Sequence, residues 1–259
     1  MLWRWLLHNN GAFCAWYDKY YFGPSHGIND YNSLPRYKQS HVKPDKQYSI
    51  LPTVLSIAGE YKDKVIADLG CGTGFFTTQF ADNGAYVYGL DNSSEQLALA
   101  AKHERIHYYL RDVFIDQLPL VDVFIAPFVL NYARTVPILR HFLQTIYKNL
   151  REDGRAVFVV DLPNGKQLKR FGATKHIDGI SRDGANMSIV LFNEETKICE
   201  LSAFYFTPET IEKELYAAGF KQVYWHNPIV SDEGVQTLGT DFWKGYIEDS
   251  ELGYLTAHK

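Results

Sequence analysis

The stretch K-V-I-A-D-L-G-C-G-T-G-F-F, residues 64–76, decides the fold that this sequence predicts. It begins with a short apolar run that has a β-branched start, made by Val65, Ile66, Ala67 and Leu69, and such a run is typical of a strand buried on both faces. Gly70, Gly72 and Gly74 follow at alternate positions, and a helical pattern begins directly after them. A strand, a glycine turn and a helix in this order predict a nucleotide-binding βα unit, because the backbone must turn sharply and let a ligand approach closely.

The spacing of the glycines distinguishes two classes of cofactor. A dinucleotide fingerprint requires G-x-G-x-x-G, whereas Gly74 comes one residue too early for it. Asp68 precedes the first glycine by two positions, and a carboxylate there suits an ammonium or sulfonium better than a pyrophosphate. The run D-L-G-C-G-T-G resembles motif I of class I S-adenosylmethionine-dependent methyltransferases. This resemblance implies S-adenosyl-L-methionine as the cofactor, bound by Asp68, Gly70, Cys71, Gly72 and Gly74.

A second carboxylate, Asp91, ends the next predicted strand, Ala85–Leu90. An acidic residue at this place reaches the ribose hydroxyls in nucleotide-binding folds, so we expect Asp91 and the adjacent Asn92 to bind the ribose. Asp91 is also placed to cap the helix that we predict over Ser93–His103, in which Leu97, Leu99 and Ala100 are expected to face the core. The two roles are compatible.

Two further pairs of residues follow predicted strands. Asp112 and Val113 come after Ile106–Leu110 and look like the adenine clamp of the family, with the carboxylate accepting from the amino group and the Val113 N–H donating to a ring nitrogen. Pro127 and Phe128 come after the fourth strand, where these enzymes hold the methionine moiety and the target atom. N-P-P-Y, which marks methylation of nucleic-acid bases, is absent from this position, and the apolar, aromatic run A-P-F-V-L-N-Y favours a small organic substrate.

The order of elements predicts an α/β fold. We expect a Rossmann-like sheet of seven strands, mostly parallel with an antiparallel last strand, and helices on both faces. One helix is expected over Pro137–Leu150 and is closed by Gly154, and Ser231–Asp249 is expected to be mostly helical. An antiparallel flap at about 162–206 interrupts the alternation, with two strands around the turn at 193–196. We therefore expect residues 49–259 to form the cofactor-binding domain. Residues 1–48, which contain a cluster of aromatic side chains, are expected to form a lid or docking segment.

Composition narrows the possible partners. The net charge of −4 and the pI near 6.1 give no electrostatic footprint for nucleic acid. The three cysteines show neither CxxC nor metal-ligand spacing, so we expect reduced thiols, a cytoplasmic protein and no metal. The sequence contains no apolar run long enough for stable membrane insertion. We expect a monomer or homodimer with a small-molecule substrate.

Several later runs narrow the resemblance further. Four runs together are similar to the toxoflavin-synthase branch of small-molecule methyltransferases. They are V-L-N-Y-A after the fourth strand, F-T-P-E-T-I-E-K-E-L-Y-A-A-G-F, Y-W-H-N-P and D-F-W-K-G-Y. That branch implies N-methylation of a heteroaromatic compound. We therefore expect N- or O-methylation of a small aromatic or heteroaromatic acceptor.

Methyl transfer needs alignment of donor and acceptor more than a catalytic triad, and the sequence contains no recognisable triad. The predicted catalytic residues are His226, Tyr132 and Tyr21. The other candidates for a base or an orienting hydroxyl are His26, Asp161, His176 and Tyr20.

Two alternatives belong to other functional classes. An NAD-type oxidoreductase would also use Asp91 on a ribose, but the early third glycine disfavours it. A catalytically silent module would retain the cofactor site and form no product. The melting temperature measured with each cofactor distinguishes an oxidoreductase from a methyltransferase, because only a bound cofactor raises it. A panel of methyl acceptors distinguishes a silent module, which would form no product.

Overall fold

The structure is a computed structural model that describes residue 29 and residues 43–166 and 169–259. Most of the predicted lid, residues 1–48, therefore lies outside the described residues. The helices are α1 (Leu51–Ile57), preceded by a π-helical stretch at Lys46–Ile50, α2 (Phe75–Asp82), α3 (Ser94–Ala98), α4 (Val136–Asn149), α5 (Pro208–Ala218), α6 (Asp232–Leu238) and α7 (Thr240–Trp243). The strands are β1 (Val65–Leu69), β2 (Tyr86–Asp91), β3 (Ile106–Leu110), β4 (Val121–Pro127), β5 (Leu150–Asp161), β6 (Ala173–Ile177), β7 (Ala185–Asn193), β8 (Thr196–Tyr205), β9 (Gln222–His226) and β10 (Leu252–His258).

Seven of the strands form one sheet in the order β3-β2-β1-β4-β5-β10-β9. The first five run parallel, and β10 lies antiparallel between β5 and β9. Helices cover both faces, which explains why β1 and β4 are mostly apolar, apart from Asp68 and Asp122, instead of alternating. The predicted Rossmann-like sheet with an antiparallel last strand is confirmed.

The flap is larger than the sequence predicts. It contains three antiparallel strands in the order β6-β7-β8, not two, and encloses its own small core around Met187, Leu191 and Leu201. The prediction missed β6 because A-T-K-H-I contains few apolar residues, and the buried member in its centre is a lysine, Lys175. A strand whose buried position is charged escapes a pattern based on hydrophobicity.

Three element boundaries also differ from the prediction. The α3 helix ends at Ala98 instead of His103, and Leu99, expected to face the core, is 49% exposed. Gly154 lies inside β5, so it does not close α4, which ends in an extended Leu150. The region predicted as mostly helical at 231–249 contains only the short α6 and α7.

The carboxyl ends of the parallel strands meet at one edge of the sheet, where the predicted cofactor residues lie. The flap and the Lys46–Ile50 stretch face the same edge, because residues from both line one cavity there. None of the described helices is both long and apolar enough to span a bilayer.

Candidate active site

The glycine turn after β1 is held open by backbone geometry. Gly70, Gly72 and Gly74 have φ angles of 68°, 56° and 83°, a region that L side chains rarely adopt. The N–H groups of Gly70 and Cys71 donate to the Leu90 carbonyl at 2.8 and 3.0 Å, which fixes the turn to the end of β2. A Cβ added at Gly72 would meet only Gln96 Oε1, at 3.9 Å, so this part of the turn borders open space.

Asp91 connects the glycine turn to the start of α3. Its Oδ2 accepts from the Gly72 N–H and its Oδ1 from the Ser93 N–H, both at 2.8 Å. Burial raises the pKa of this carboxyl, and the backbone donors oppose the rise. The carboxylate thus rigidifies the site. Ribose binding by Asp91 and the exposed Asn92 stays a prediction.

Asp68 supplies a test of whether the site fits the expected cofactor. The side chain is 1% exposed, and its Oδ2 accepts from the Thr77 hydroxyl at 2.6 Å. Its Oδ1 is buried and has no hydrogen-bond partner in the described part of the chain. Burial raises the pKa of this carboxyl to about 7. An unsatisfied carboxylate oxygen beside an open turn fits a ligand that donates hydrogen bonds, such as an amino acid ammonium, so these residues fit S-adenosylmethionine.

The predicted adenine residues lie in a tight turn after β3. The Asp112 Oδ1 accepts from the Phe114 N–H at 3.0 Å, while its own N–H donates to the Asp116 carboxylate at 2.7 Å. Burial is the main cause that raises the pKa of Asp112. Val113 is buried. Because the Asp112 side chain is already engaged in the turn, its contact with an adenine stays a prediction.

The residues after β4 take an unusual backbone conformation. Phe128 has a φ of 65°, which is an outlier for a bulky side chain, and its N–H donates to the Val159 carbonyl at 2.7 Å. Such strain clusters at ligand sites, where the surrounding structure enforces it. Here the strained Phe128, which follows Pro127 at the end of β4, lines the cavity between the sheet and the flap.

This cavity has a volume of about 110 Å³. Apolar and aromatic side chains from the flap and from the β4 end form much of its wall, among them Tyr132, Phe171, Ile189, Leu191 and Leu201. Charged groups from four separate segments complete it, including Asp45, Asp161, Lys175 and Glu251. It is therefore an apolar pocket with a few polar groups, the usual composition of a small-molecule site.

A buried ion pair joins the flap to the sheet inside this cavity. The Lys175 Nζ lies 2.8 Å from Asp161 Oδ1, with both side chains 5% exposed, and it also donates to the Glu251 carbonyl at 2.7 Å. Asn131 adds a second link, because its Oδ1 accepts from the Asp161 N–H at 2.8 Å and its Nδ2 donates to the Phe204 carbonyl at 3.1 Å. Sequence reasoning missed Lys175, Glu251 and Asn131.

The candidate catalytic residues are not all at this site. Tyr132 and Asp161 line the cavity. His226 does not: it lies on the edge strand β9, where its Nε2 is 2.9 Å from Thr256 Oγ1 and burial lowers its pKa. His176 is exposed on β6. Tyr20, Tyr21 and His26 lie outside the described residues, so their roles stay predictions.

Comparison with known proteins agrees with this geometry. A family model described as a methyltransferase domain matches residues 66–154. A malonyl-[acyl-carrier protein] O-methyltransferase from Serratia marcescens is 26% identical over 130 residues, which cover 49% of each chain. An uncharacterized protein from Haemophilus influenzae is 30% identical over 146 residues, which are 51% of this chain and 56% of that protein. The chain thus spans about half the length of these curated relatives.

The fold has solved counterparts. A S-adenosylmethionine-dependent methyltransferase from Mesorhizobium loti superimposes with a TM-score of 0.60 at 20% identity, covering 85% of this chain and all of that one. A second, described as a putative S-adenosylmethionine-dependent methyltransferase from Listeria monocytogenes, gives 0.57 at 18% identity, with 81% and 98% covered.

Proposed function

We propose that this chain, which carries a class I S-adenosylmethionine-dependent methyltransferase domain, methylates a nitrogen or oxygen atom of a small aromatic or heteroaromatic compound. The observation that carries the proposal is the glycine turn, which borders open space at Gly72 and holds the unsatisfied buried oxygen of Asp68. S-adenosylmethionine is the cofactor of this family of domains.

On the donor side, the protein binds S-adenosylmethionine and orients its methyl group. When bound, S-adenosylmethionine supplies a methyl group already activated by a sulfonium. The Gly70–Gly74 turn gives backbone room for it, Asp68 offers an acceptor for its ammonium, and Asp91 lies at the turn's edge for the ribose. Correct alignment of donor and acceptor can supply about 7–11 kcal/mol of the barrier, so binding groups account for much of the catalysis.

On the acceptor side, the cavity sets the size and polarity of the substrate. Phe128 and Tyr132 follow β4, which is the neighbour of β1 in the sheet, so the cavity lies next to the strand that carries the glycine turn. Its apolar wall suits a flat ring. Asp161 could take a proton from the acceptor only after exchanging its partner Lys175.

The test is a direct assay of product formation. The protein is incubated with S-adenosylmethionine and a panel of phenols, aromatic amines and N-heterocycles, and S-adenosylhomocysteine is followed by mass spectrometry. Malonyl thioesters are included because three relatives are named for malonyl-[acyl-carrier protein] methylation. We expect turnover with an aromatic acceptor and none with the G72V variant. Turnover with malonyl thioesters alone would contradict the proposed substrate class.

A further inference from the structure

Four buried polar atoms cluster beside the acceptor cavity without hydrogen-bond partners in the described chain. They are Asp45 Oδ1, Ser49 Oγ and the hydroxyls of Tyr246 and Tyr254. The four residues are between 0 and 5% exposed. Leaving a buried polar group unsatisfied costs about 1–3 kcal/mol, so four of them in one place indicate a missing partner.

The cluster opens into the cavity through two of its members. Asp45 and Tyr246 line the cavity, while Ser49 and Tyr254 are fully buried and do not line it. That the four are neighbours also shows in their ionisation: burial is the main cause that raises the pKa of both tyrosines. The next cause is the charge of Asp45 for Tyr246 and the interaction with Tyr246 for Tyr254, and both hydroxyls also interact with Ser49. A group that enters the cavity can therefore meet Asp45 and the Tyr246 hydroxyl together.

The surrounding structure fixes these groups in place. The Tyr246 ring makes edge contacts with Phe171 and Trp243, at centroid distances of 4.6 and 5.2 Å. Ser49 lies in the π-helical stretch Lys46–Ile50, and Asp45 directly precedes it. π-helical turns are rare and occur frequently at functional sites. The hydroxyls are thus held in position before any ligand arrives.

The nearby charges determine which ligand group fits. Lys43 Nζ lies 3.6 Å from Asp45 Oδ1, too far for a hydrogen bond, and Lys46 also lines the cavity, so an ammonium would meet two cations. A carboxylate would meet Asp45 and Glu251 instead. An uncharged N–H donor avoids both repulsions and satisfies the Asp45 oxygen, while the hydroxyls can donate to a neighbouring carbonyl.

We propose that Asp45 and Tyr246, with Ser49 and Tyr254 buried next to them, form a subsite that binds an uncharged hydrogen-bond donor of the methyl acceptor, such as an amide or a ring N–H. This inference rests on the proposed function, and it narrows the substrate class to aromatic compounds that carry such a group beside the methylated atom. The apolar wall holds the ring, and the subsite sets its orientation.

Two isosteric probes test the subsite. Benzamide and acetophenone share a phenyl ring and a carbonyl, and only benzamide carries an N–H. Their affinities are measured by calorimetry on the full chain saturated with S-adenosylhomocysteine. We expect benzamide to bind about tenfold more tightly than acetophenone, the range expected for a hydrogen bond to a charged group. Benzoate and benzylamine, which have similar sizes and opposite charges, should bind more weakly than benzamide.

Variants decide whether the preference comes from this cluster. Y246F keeps the packed ring and removes the hydroxyl, and D45A removes a carboxylate that makes no cap hydrogen bond. Each should reduce the benzamide preference at least threefold, while Y216F on the exposed side of α5 should leave it unchanged. Y246F should also leave the melting temperature of the free protein unchanged or raised, since the deleted hydroxyl makes no hydrogen bond of good geometry within the described residues.

Equal affinities for benzamide and acetophenone, or a preference that both variants retain, would overturn the subsite and leave the proposed function intact. A drop in melting temperature in Y246F would point to a resident structural water and would also count against a ligand subsite. If S-adenosylhomocysteine fails to bind at all, the proposed function falls, and the subsite falls with it.

Discussion

The proposed donor half and the proposed acceptor half of the site are built in different ways. The donor half, around the glycine turn, comes from β1, β2 and the short segments that follow them, so its residues are close in sequence. The acceptor half gathers Asp45, Tyr132, Asp161, Lys175 and Glu251 from five separate segments. A binding site made by one local motif can be inferred from that motif, whereas one made by distant segments depends on the whole tertiary structure.

The strongest test of this contrast breaks the link between flap and sheet. K175M leaves the buried Asp161 carboxylate without its cation, and we expect the free energy of unfolding to fall by about 3–5 kcal/mol. Urea denaturation measures the loss. The matched control, K197M, breaks an exposed pair with Glu200 on the same flap and should change stability by about 0–1 kcal/mol. Equal effects in both variants would show that burial of the Asp161–Lys175 pair is unimportant.

The next test fills the donor half. G72V adds a side chain where the turn borders open space, at a φ of 56°, and should weaken S-adenosylhomocysteine binding by more than about 100-fold. Calorimetry gives the affinity. G179V imposes a similar strain, at a φ of 77° on the exposed flap, without facing the turn, and should bind normally. If both variants bind normally, the turn is not the cofactor site.

A smaller effect is expected from the carboxylate at the edge of the turn. D91A should weaken S-adenosylhomocysteine binding by about 1.5–3 kcal/mol, the value of charge-assisted hydrogen bonds. D183A is the control. The Asp183 carboxylate also accepts a hydrogen bond from a backbone N–H at the start of a helix, that of Thr207 before α5, at 2.8 Å. Asp183 and Thr207 are far from the glycine turn in the sequence. A similar loss in both variants would assign the D91A effect to general destabilisation.

An effect of similar size is expected in the dependence of stability on pH, and it comes from Asp68. Its pKa is raised by burial to about 7 in the folded protein, from about 3.9 when unfolded. Between these values the folded state binds the extra proton, so stability falls as pH rises, by up to about 1.4 kcal/mol per pH unit, and levels off above pH 7. Denaturation of wild type and D68N from pH 5 to 8 should show this slope in the difference between them. A flat difference would mean that Asp68 is ionised throughout.

Much of the fold was predictable because its signals are local. The run before Gly70 is buried on both faces and reads directly as a β-strand, and α4 shows a clear apolar face. The ends of some other elements were not predicted correctly. The α3 helix stops at Ala98 although the sequence beyond it could continue, and Leu99 points to solvent instead of the core.

The acceptor cavity could not be predicted in this way. Lys175 appears as a solvent-facing residue in a polar segment, and only the tertiary structure pairs it with Asp161. Tyr246 likewise gives no signal in D-F-W-K-G-Y until α7 and β10 bring it beside Asp45. One signal was available for Asn131, which stands in the V-L-N-Y-A run that the sequence analysis singled out, although its role as a bridge was not inferred.

The position of β10 has a consequence for biosynthesis. Residues 252–258 pair with β5 on one side and with β9 on the other, so β9 cannot join the sheet before these residues have been synthesised. While a ribosome is still translating, β1 to β5 can pair, but the edge of β5 stays open and able to recruit a foreign strand. Residue 258 must therefore leave the ribosomal exit tunnel before the nascent polypeptide can complete its seven-stranded sheet.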